Sequence, residues 1–211
     1  VRFRVFDPHY EVATTRRRLP HWIQEGASYF ITYRLADSVP QTLLSQWRDE
    51  LDAWMRFHPT PWDSATESEH DERFTQRMEA WLDAGMGACH LRRGDVRERV
   101  ERALMHFDGH RYDVDSFTLM PNHVHAILTP APGYHLSGIL KGVKGVSARE
   151  CNALLGSCGS FWMDESHDHI VRDWDELSAY RAYIDANPRK AGLHEGEFSL
   201  SIRNVLVADG L

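Results

Sequence analysis

The sequence predicts an α+β fold with a ferredoxin-like antiparallel sheet, and three observations lead to it. Two alternating segments, 111–120 and 123–129, are joined by a Pro-Asn turn, which is typical of a β-hairpin. An aromatic and β-branched strand segment, 28–35, precedes them. Segments with helical periodicity separate and follow these strands. When residues 58–110 are treated as a helical insertion after the first strand, the order becomes β-α-β-β-α-β plus a C-terminal helix.

The elements of the first half follow from local patterns. Residues 1–27 are expected to form an irregular N-terminal arm. The segment 40–57 places Leu44, Leu51 and Trp54 on one side of a helix, and Pro40 suits its first turn. Two more helices are expected, at 70–83 and at 95–107, before the hairpin.

The second half continues the alternation of helices and strands. A helix is expected at 135–155, a short strand at 161–166 and a last helix at 174–187. Helices would then cover one face of the sheet and leave the other free for a ligand. The chain is therefore interpreted as one domain, 1–211, with a weakly patterned tail at 193–211.

Composition indicates a globular protein of the cytoplasm. Of the 211 residues, 42% are hydrophobic and 26% charged, and no segment approaches the ~18 apolar residues of a membrane span. The N-terminus shows no signal peptide. Three widely spaced cysteines indicate reduced thiols, and a zinc site that uses Cys151 and Cys158 is a weak alternative because no CxxC pair exists.

The charge of the chain is unevenly distributed. The net charge of −7 argues mildly against a nucleic-acid partner. However, residues 47–83 alone hold four Arg against ten acidic residues, so the rest of the chain is close to neutral. Of the 24 basic residues 21 are Arg, which suits phosphate binding but would also follow from a GC-rich genome.

The hairpin carries a His-x-His pair. On a strand, His123 and His125 point to the same face, so two imidazoles could bind one divalent cation. A histidine-rich strand edge without a metal is the alternative.

The last helix adds a phenol and a carboxamide. Asp173 is expected to cap it, and Pro188 to limit it. Tyr183 lies on the flank of the apolar stripe, and Asn187 lies one turn further along the same side. Both could face a site, but Tyr183 could also be a boundary residue and Asn187 a plain helix cap.

Four segments in this order resemble one known family. They are "YFITYRL", "LMPNHVHAIL", "WMDESHDHIVRD" and "AYIDANPRKAGL", and the likeness covers most of residues 28–193. Together they resemble the REP-associated tyrosine transposases, a branch of the single-tyrosine HUH transposases related to insertion-sequence enzymes. The long acidic region after the first strand departs from that pattern.

The resemblance implies a mechanism and a set of residues. His123, His125 and Asn187 would hold a divalent cation, Mg²⁺ or Mn²⁺, and Tyr183 would attack the scissile phosphate to form a 5′-phosphotyrosine link. His169 is a candidate for the base that activates the tyrosine, although a structural role at a strand end suits it better. The partner would be single-stranded DNA near hairpins. The protein would be a monomer or homodimer, cytoplasmic and nucleoid-associated in a bacterium, with no membrane partner.

Basic side chains are expected to contact the DNA backbone, with a solvated basic surface as the alternative. Two other functions also remain open. One is a domesticated, inactive module that binds hairpins, and the other is a metal-dependent hydrolase of a different substrate. The candidate DNA contacts are Arg16, Arg17, Arg18, Lys141, Lys144 and Arg172.

Overall fold

A five-stranded antiparallel sheet forms the centre of the protein in the computed structural model, which describes residues 3–7, 13–16, 20–60 and 62–203. A separate hairpin precedes it in the chain. The hairpin consists of β1 (Ala13–Arg16) and β2 (Pro20–Ile23), and the sheet of β3 (Tyr29–Arg34), β4 (Tyr112–Leu119), β5 (His123–Pro130), β6 (His167–Ile170) and β7 (Ser199–Ile202). The sheet order is β6-β3-β5-β4-β7, so β5, which carries both candidate histidines, lies at the centre.

Six α-helices lie within the described residues. They are α1 (Gln41–Phe57), α2 (Ser64–His70), α3 (Gln76–Asp83), α4 (Gly94–Met105), α5 (Leu136–Leu155) and α6 (Trp174–Lys190). A π-helical turn, Asp71–Thr75, joins α2 to α3, and a 3₁₀ turn, His90–Arg92, precedes α4. The predicted antiparallel α+β fold is confirmed. No helix in the described part of the chain is long and apolar enough to cross a membrane.

The main core lies between one face of the sheet and the helices α4 and α5. Ile31 and Tyr33 of β3 and Val124 of β5 alternate onto this face and are fully buried. Val100 of α4 and Val143 of α5 pack against them. Burial of this apolar surface is the main stabilising contribution to the sheet.

The other face of the sheet is covered by α6, so the expectation that it stays free for a ligand is wrong. Phe30 and Ile127 of the sheet pack against Leu177 and Ile184 of α6, and all four side chains are buried. Helical periodicity did not predict this covering, because the apolar stripe of α6 does not specify which surface it packs against.

The helices α1 to α3 form a unit with its own small apolar clusters. One cluster is centred on Leu44 and Leu82, and another on Trp54 and Phe74. The unit extends from α1 to α3, whereas α4 packs into the main core. The predicted insertion, 58–110, therefore includes helices of both kinds, and its boundaries stay a prediction.

The two ends of this helical unit meet at Gly87. Gly87 has φ +85°, and a Cβ there would lie 2.5 Å from the Asp37 carbonyl oxygen, so only glycine fits without a shift of the backbone. The Ala88 amide donates a hydrogen bond to the Asp37 carboxylate at 2.8 Å. The chain thus leaves and re-enters the body at one place.

Two predicted elements differ from the structure. The strand expected at 161–166 lies further along the chain, as β6. Within 161–166, Phe161 and Trp162 are buried in the main core, and Trp162 forms an isolated bridge to Leu35. The last helix does not end before Pro188 but continues to Lys190. A proline near a helix end forfeits a single hydrogen bond, and Pro188 itself is buried.

The terminal regions are also more ordered than expected. The arm, 1–27, contains the β1–β2 hairpin, and the tail contributes β7, which pairs with β4 at the sheet edge.

An ion pair between Arg181 and Asp115 joins α6 to β4. The Asp115 carboxylate is 1% exposed and accepts a hydrogen bond from Arg181 Nε at 2.8 Å and another from Nη2. Arg181→Ala should lower the free energy of unfolding by about 3–5 kcal/mol, because it leaves a buried carboxylate without its partner. Arg189→Ala, on the same helix with a 78% exposed side chain, should change it by about 0.5 kcal/mol or less. Chemical denaturation of both variants checks this, and equal losses would contradict it.

Candidate active site

The tight turn between β4 and β5 places the two histidines on the face covered by α6. Met120 donates its amide to the His123 carbonyl at 2.9 Å, which closes the turn and starts β5. His123 and His125 then project from one face, each only 1% exposed. Their Nε2 atoms are 3.0 Å apart, so both ring nitrogens border the same small space.

Neighbouring side chains orient both imidazole rings. Asn122 donates from its amide nitrogen to the Met86 carbonyl at 3.0 Å, so its oxygen faces His123 Nδ1 at 2.8 Å and accepts that proton. On the other ring, His125 Nδ1 lies 2.8 Å from Thr32 Oγ1 of β3. His123 Nε2 is therefore unprotonated and faces His125 Nε2 at 3.0 Å, and holding the other ring nitrogen in this way is typical of histidines that bind metals.

Burial keeps both imidazoles neutral. It lowers the pKa of His123 to about 3 and the pKa of His125 well below its usual value, and for His125 the nearby His123, His167 and Lys190 add to the effect. Neutral imidazole is the form that binds a metal ion.

Asn187 of α6 supplies a buried amide that lies near Tyr183 but makes no well-formed hydrogen bond within the described residues. Its side chain is 1% exposed. A buried polar group left unpaired costs about 1–3 kcal/mol, so an additional ligand would compensate. The described residues contain no cluster of three His, Cys, Asp or Glu that could hold a metal ion. Two imidazoles and an amide oxygen fit a divalent cation.

Tyr183 brings its hydroxyl next to His125. Its Oη lies 3.5 Å from His125 Nε2, and its ring meets Phe30 edge-on at 5.8 Å. Tyr180, one turn earlier, instead stacks flat on Phe30 at 4.3 Å, which turns it towards His169. Both tyrosines are half-buried, so the two differ in direction more than in exposure.

Two carboxylates of α3 approach Tyr183 from the helical unit. The Glu79 and Asp83 carboxyl groups lie close enough to the Tyr183 hydroxyl to affect its ionisation. Burial, followed by these two carboxylates, raises the pKa of Tyr183 above its usual value, while the Asn187 amide lowers it. Burial raises the pKa of Glu79 to about 7. In this arrangement the tyrosine is held in its protonated form.

The candidate DNA contacts are scattered. Arg172 lies just before α6 and forms a two-bond ion pair with Glu67 of α2. Lys141 is exposed on α5, across the sheet from α6, and Lys144 donates to the Met163 and Asp164 carbonyls. Their role stays a prediction. Arg16 is described only in its backbone, in β1, and Arg17 and Arg18 lie outside the described residues.

Several residues of the site were missed by sequence reasoning. His169, the candidate base, has its Nε2 atom 2.9 Å from the Glu176 carboxylate, so it links β6 to the start of α6. Asn122 could have been found, since it directly precedes the His-x-His pair. Thr32, Glu79 and Asp83 carry no local signal, because only strand pairing and the packing of α3 bring them to the site.

Comparison with known proteins finds a family model that matches part of the chain. Residues 90–187, which include both histidines, Tyr183 and Asn187, match the model of the IS200-like transposases. No curated protein matches the chain. One solved structure is described as a REP-associated tyrosine transposase bound to a REP hairpin, and it shares 14% identity with a TM-score of 0.46, over 94% of this chain and 99% of that one.

A second solved structure, of a protein from Deinococcus radiodurans R1 classed as a transposase, shares 12% identity with a TM-score of 0.36. It covers 82% of this chain and 98% of that one.

Proposed function

Because the chain belongs to the IS200-like transposase family, we propose that it cuts and rejoins single-stranded DNA through a 5′-phosphotyrosine intermediate. The observation that carries this proposal is the position of the Tyr183 hydroxyl, 3.5 Å from the Nε2 of His125 and beside a second buried, neutral imidazole. A nucleophile can start such a transfer only if it contacts the phosphorus atom of the scissile phosphate, so the tyrosine must lie beside the site that binds this phosphate.

The residues suited to hold a divalent cation are His123, His125 and Asn187. Mg²⁺ or Mn²⁺ bound there would neutralise charge on a scissile phosphate. Asn122 and Thr32 hold the two rings with their Nε2 atoms towards the shared space, so little reorganisation is needed on binding. The unpaired amide of Asn187 supports the proposal, because a ligand would satisfy it.

In the proposed transfer Tyr183 Oη forms a bond to phosphorus, and the bond from phosphorus to the 3′ oxygen breaks. The tyrosine proton is released, and the 3′ oxygen takes up a proton and leaves as a hydroxyl. Rejoining is the reverse reaction with another 3′ hydroxyl. Phe30 holds the tyrosine ring edge-on, which restricts the direction of the hydroxyl.

The proposed DNA partner is a hairpin with a single-stranded flank, as the resemblance to the REP-associated branch implies. Arg172 is the candidate phosphate contact nearest the catalytic helix. Whether one or two copies act together stays open.

A second function, hairpin binding without cleavage, is favoured by one observation. Both histidines are 1% exposed, so DNA does not reach them in this arrangement.

One experiment separates the two functions. The protein is incubated with Mn²⁺ and a labelled hairpin oligonucleotide that carries single-stranded flanks, and the products are resolved under denaturing conditions. Transfer predicts a covalent protein–DNA adduct with the hairpin and none with a blunt duplex of equal length. A shift on a native gel without any adduct would favour the binding module. If neither an adduct nor a shift is seen, both functions are contradicted.

A further inference from the structure

A row of three groups along α6 faces the helical unit. Arg172 lies just before the helix, Tyr183 lies within it, and Lys190 is its last residue. At 1.5 Å per residue the row spans about 27 Å, long enough to follow several phosphates of a strand. The Lys190 ammonium lies 5.9 Å from the Tyr183 ring centroid, so these two groups are direct neighbours in the row.

Each group in this row is occupied by a carboxyl group from α2 or α3. Arg172 Nη1 donates to Glu67 Oε2 at 3.1 Å, and Nη2 bonds the other oxygen of the same carboxylate. The Glu79 carboxyl group lies close to the Tyr183 hydroxyl. Lys190 Nζ lies 3.7 Å from Asp83 Oδ2. An anionic partner on all three groups is what a DNA backbone would supply.

The arrangement is closed to DNA. With His123 and His125 only 1% exposed, a phosphate has no path to the nitrogens that border the candidate cation site. The helix α6 is fixed to the sheet by the buried pair of Arg181 with Asp115 and by Ile184 in the core. The element that must move for DNA to enter is therefore the helical unit.

The helical unit is built to move as one body. It has its own apolar clusters, and both its ends meet at Asp37 and Gly87. A cavity of about 100 Å³ separates it from the sheet, with Trp47 and Met78 on one side and Thr32 and His167 on the other. Packing across an interface that contains a void is weaker than packing in a filled core. Opening therefore exposes little tightly packed surface.

We propose that α2 and α3 occupy a DNA-phosphate track formed by Arg172, Tyr183 and Lys190, and that DNA displaces them. The proposal rests on the proposed function. In it, the carboxylates of Glu67 and Asp83 take the places of phosphates, and Lys190 is a DNA contact. The acidic excess of residues 47–83 drives the displaced unit away from the bound strand, because like charges repel.

The first test measures competition by the carboxylates. Glu67→Gln combined with Asp83→Asn should bind a hairpin with single-stranded flanks about three- to tenfold tighter than wild type, since two ion pairs no longer oppose binding. Glu72→Gln removes a charge at an exposed position of the same unit and serves as the control. Unchanged or weaker binding by the double variant, or an equal gain in Glu72→Gln, would overturn the proposal.

The second test locks the unit closed. The variant Asp83→Cys with Lys190→Cys is made in a background of Cys89→Ser and Cys158→Ser. A short thiol-reactive crosslinker that contains a reducible disulfide then joins the two introduced thiols. The remaining Cys151 is fully buried. The locked protein should bind the hairpin at least about tenfold more weakly than the same sample after reduction.

The result also separates this proposal from the proposed function. Equal binding before and after reduction would contradict displacement while leaving DNA transfer intact. If neither the reduced sample nor wild type binds the hairpin, the proposed function itself is wrong.

Discussion

Tyr183→Phe should abolish the covalent adduct with DNA, while Tyr180→Phe should retain it. The change removes one oxygen, and a side chain without a nucleophilic atom cannot form the phosphotyrosine bond. The loss should be at least about a thousandfold in cleavage rate, as is usual when a nucleophile is removed. Tyr180 is the matched control because it has the same chemistry, one turn away, and the same half-buried state, but it stacks on Phe30 instead of approaching His125.

The stability of the Tyr183→Phe variant keeps the comparison interpretable. The ring keeps its contacts with Phe30 and His125, so the free energy of unfolding should change by about 1 kcal/mol or less. Binding of the hairpin should persist. Peptide mapping of the trapped wild-type complex completes the test, and DNA attached to Tyr180, or an adduct that survives in Tyr183→Phe, would refute the assignment.

The second large effect concerns the metal. Cleavage by the wild type should stop in EDTA and return with Mn²⁺, and His125→Ala should not cleave under either condition. A ligand that binds only the folded state stabilises it, by about 2.7 kcal/mol at a hundredfold excess over its dissociation constant. Mn²⁺ should therefore raise the melting temperature of the wild type but not that of His125→Ala. The exposed His110→Ala is the control and should behave as wild type.

Asn187→Ala gives an independent measure of the same site. It should remove most of the Mn²⁺-dependent rise in melting temperature. Without metal, its free energy of unfolding should stay within about 1 kcal/mol of wild type, because the lost packing is offset by removal of an unpaired buried amide. Thermal melting in EDTA and in Mn²⁺ decides this. An equal metal response in wild type and Asn187→Ala would remove Asn187 from the proposed ligands.

The sequence by itself determined the elements around the His-x-His pair. Alternation over 123–129 and the Pro-Asn turn predicted β5 and the shared face of His123 and His125, because a strand repeats every two residues whatever it packs against. Helical spacing likewise placed Asn187 one turn beyond Tyr183. These relations are local, and the match of residues 90–187 to the transposase family covers the same segment.

Only the tertiary structure decided what surrounds that motif. Periodicity identifies an apolar stripe but not the surface that buries it, so periodicity alone did not predict that α6 covers the histidine face. The same holds for Thr32, which reaches His125 through strand pairing. It holds most of all for Glu67, Glu79 and Asp83, whose carboxyl groups are distant in sequence from α6 but meet it in space because α2 and α3 lie alongside that helix.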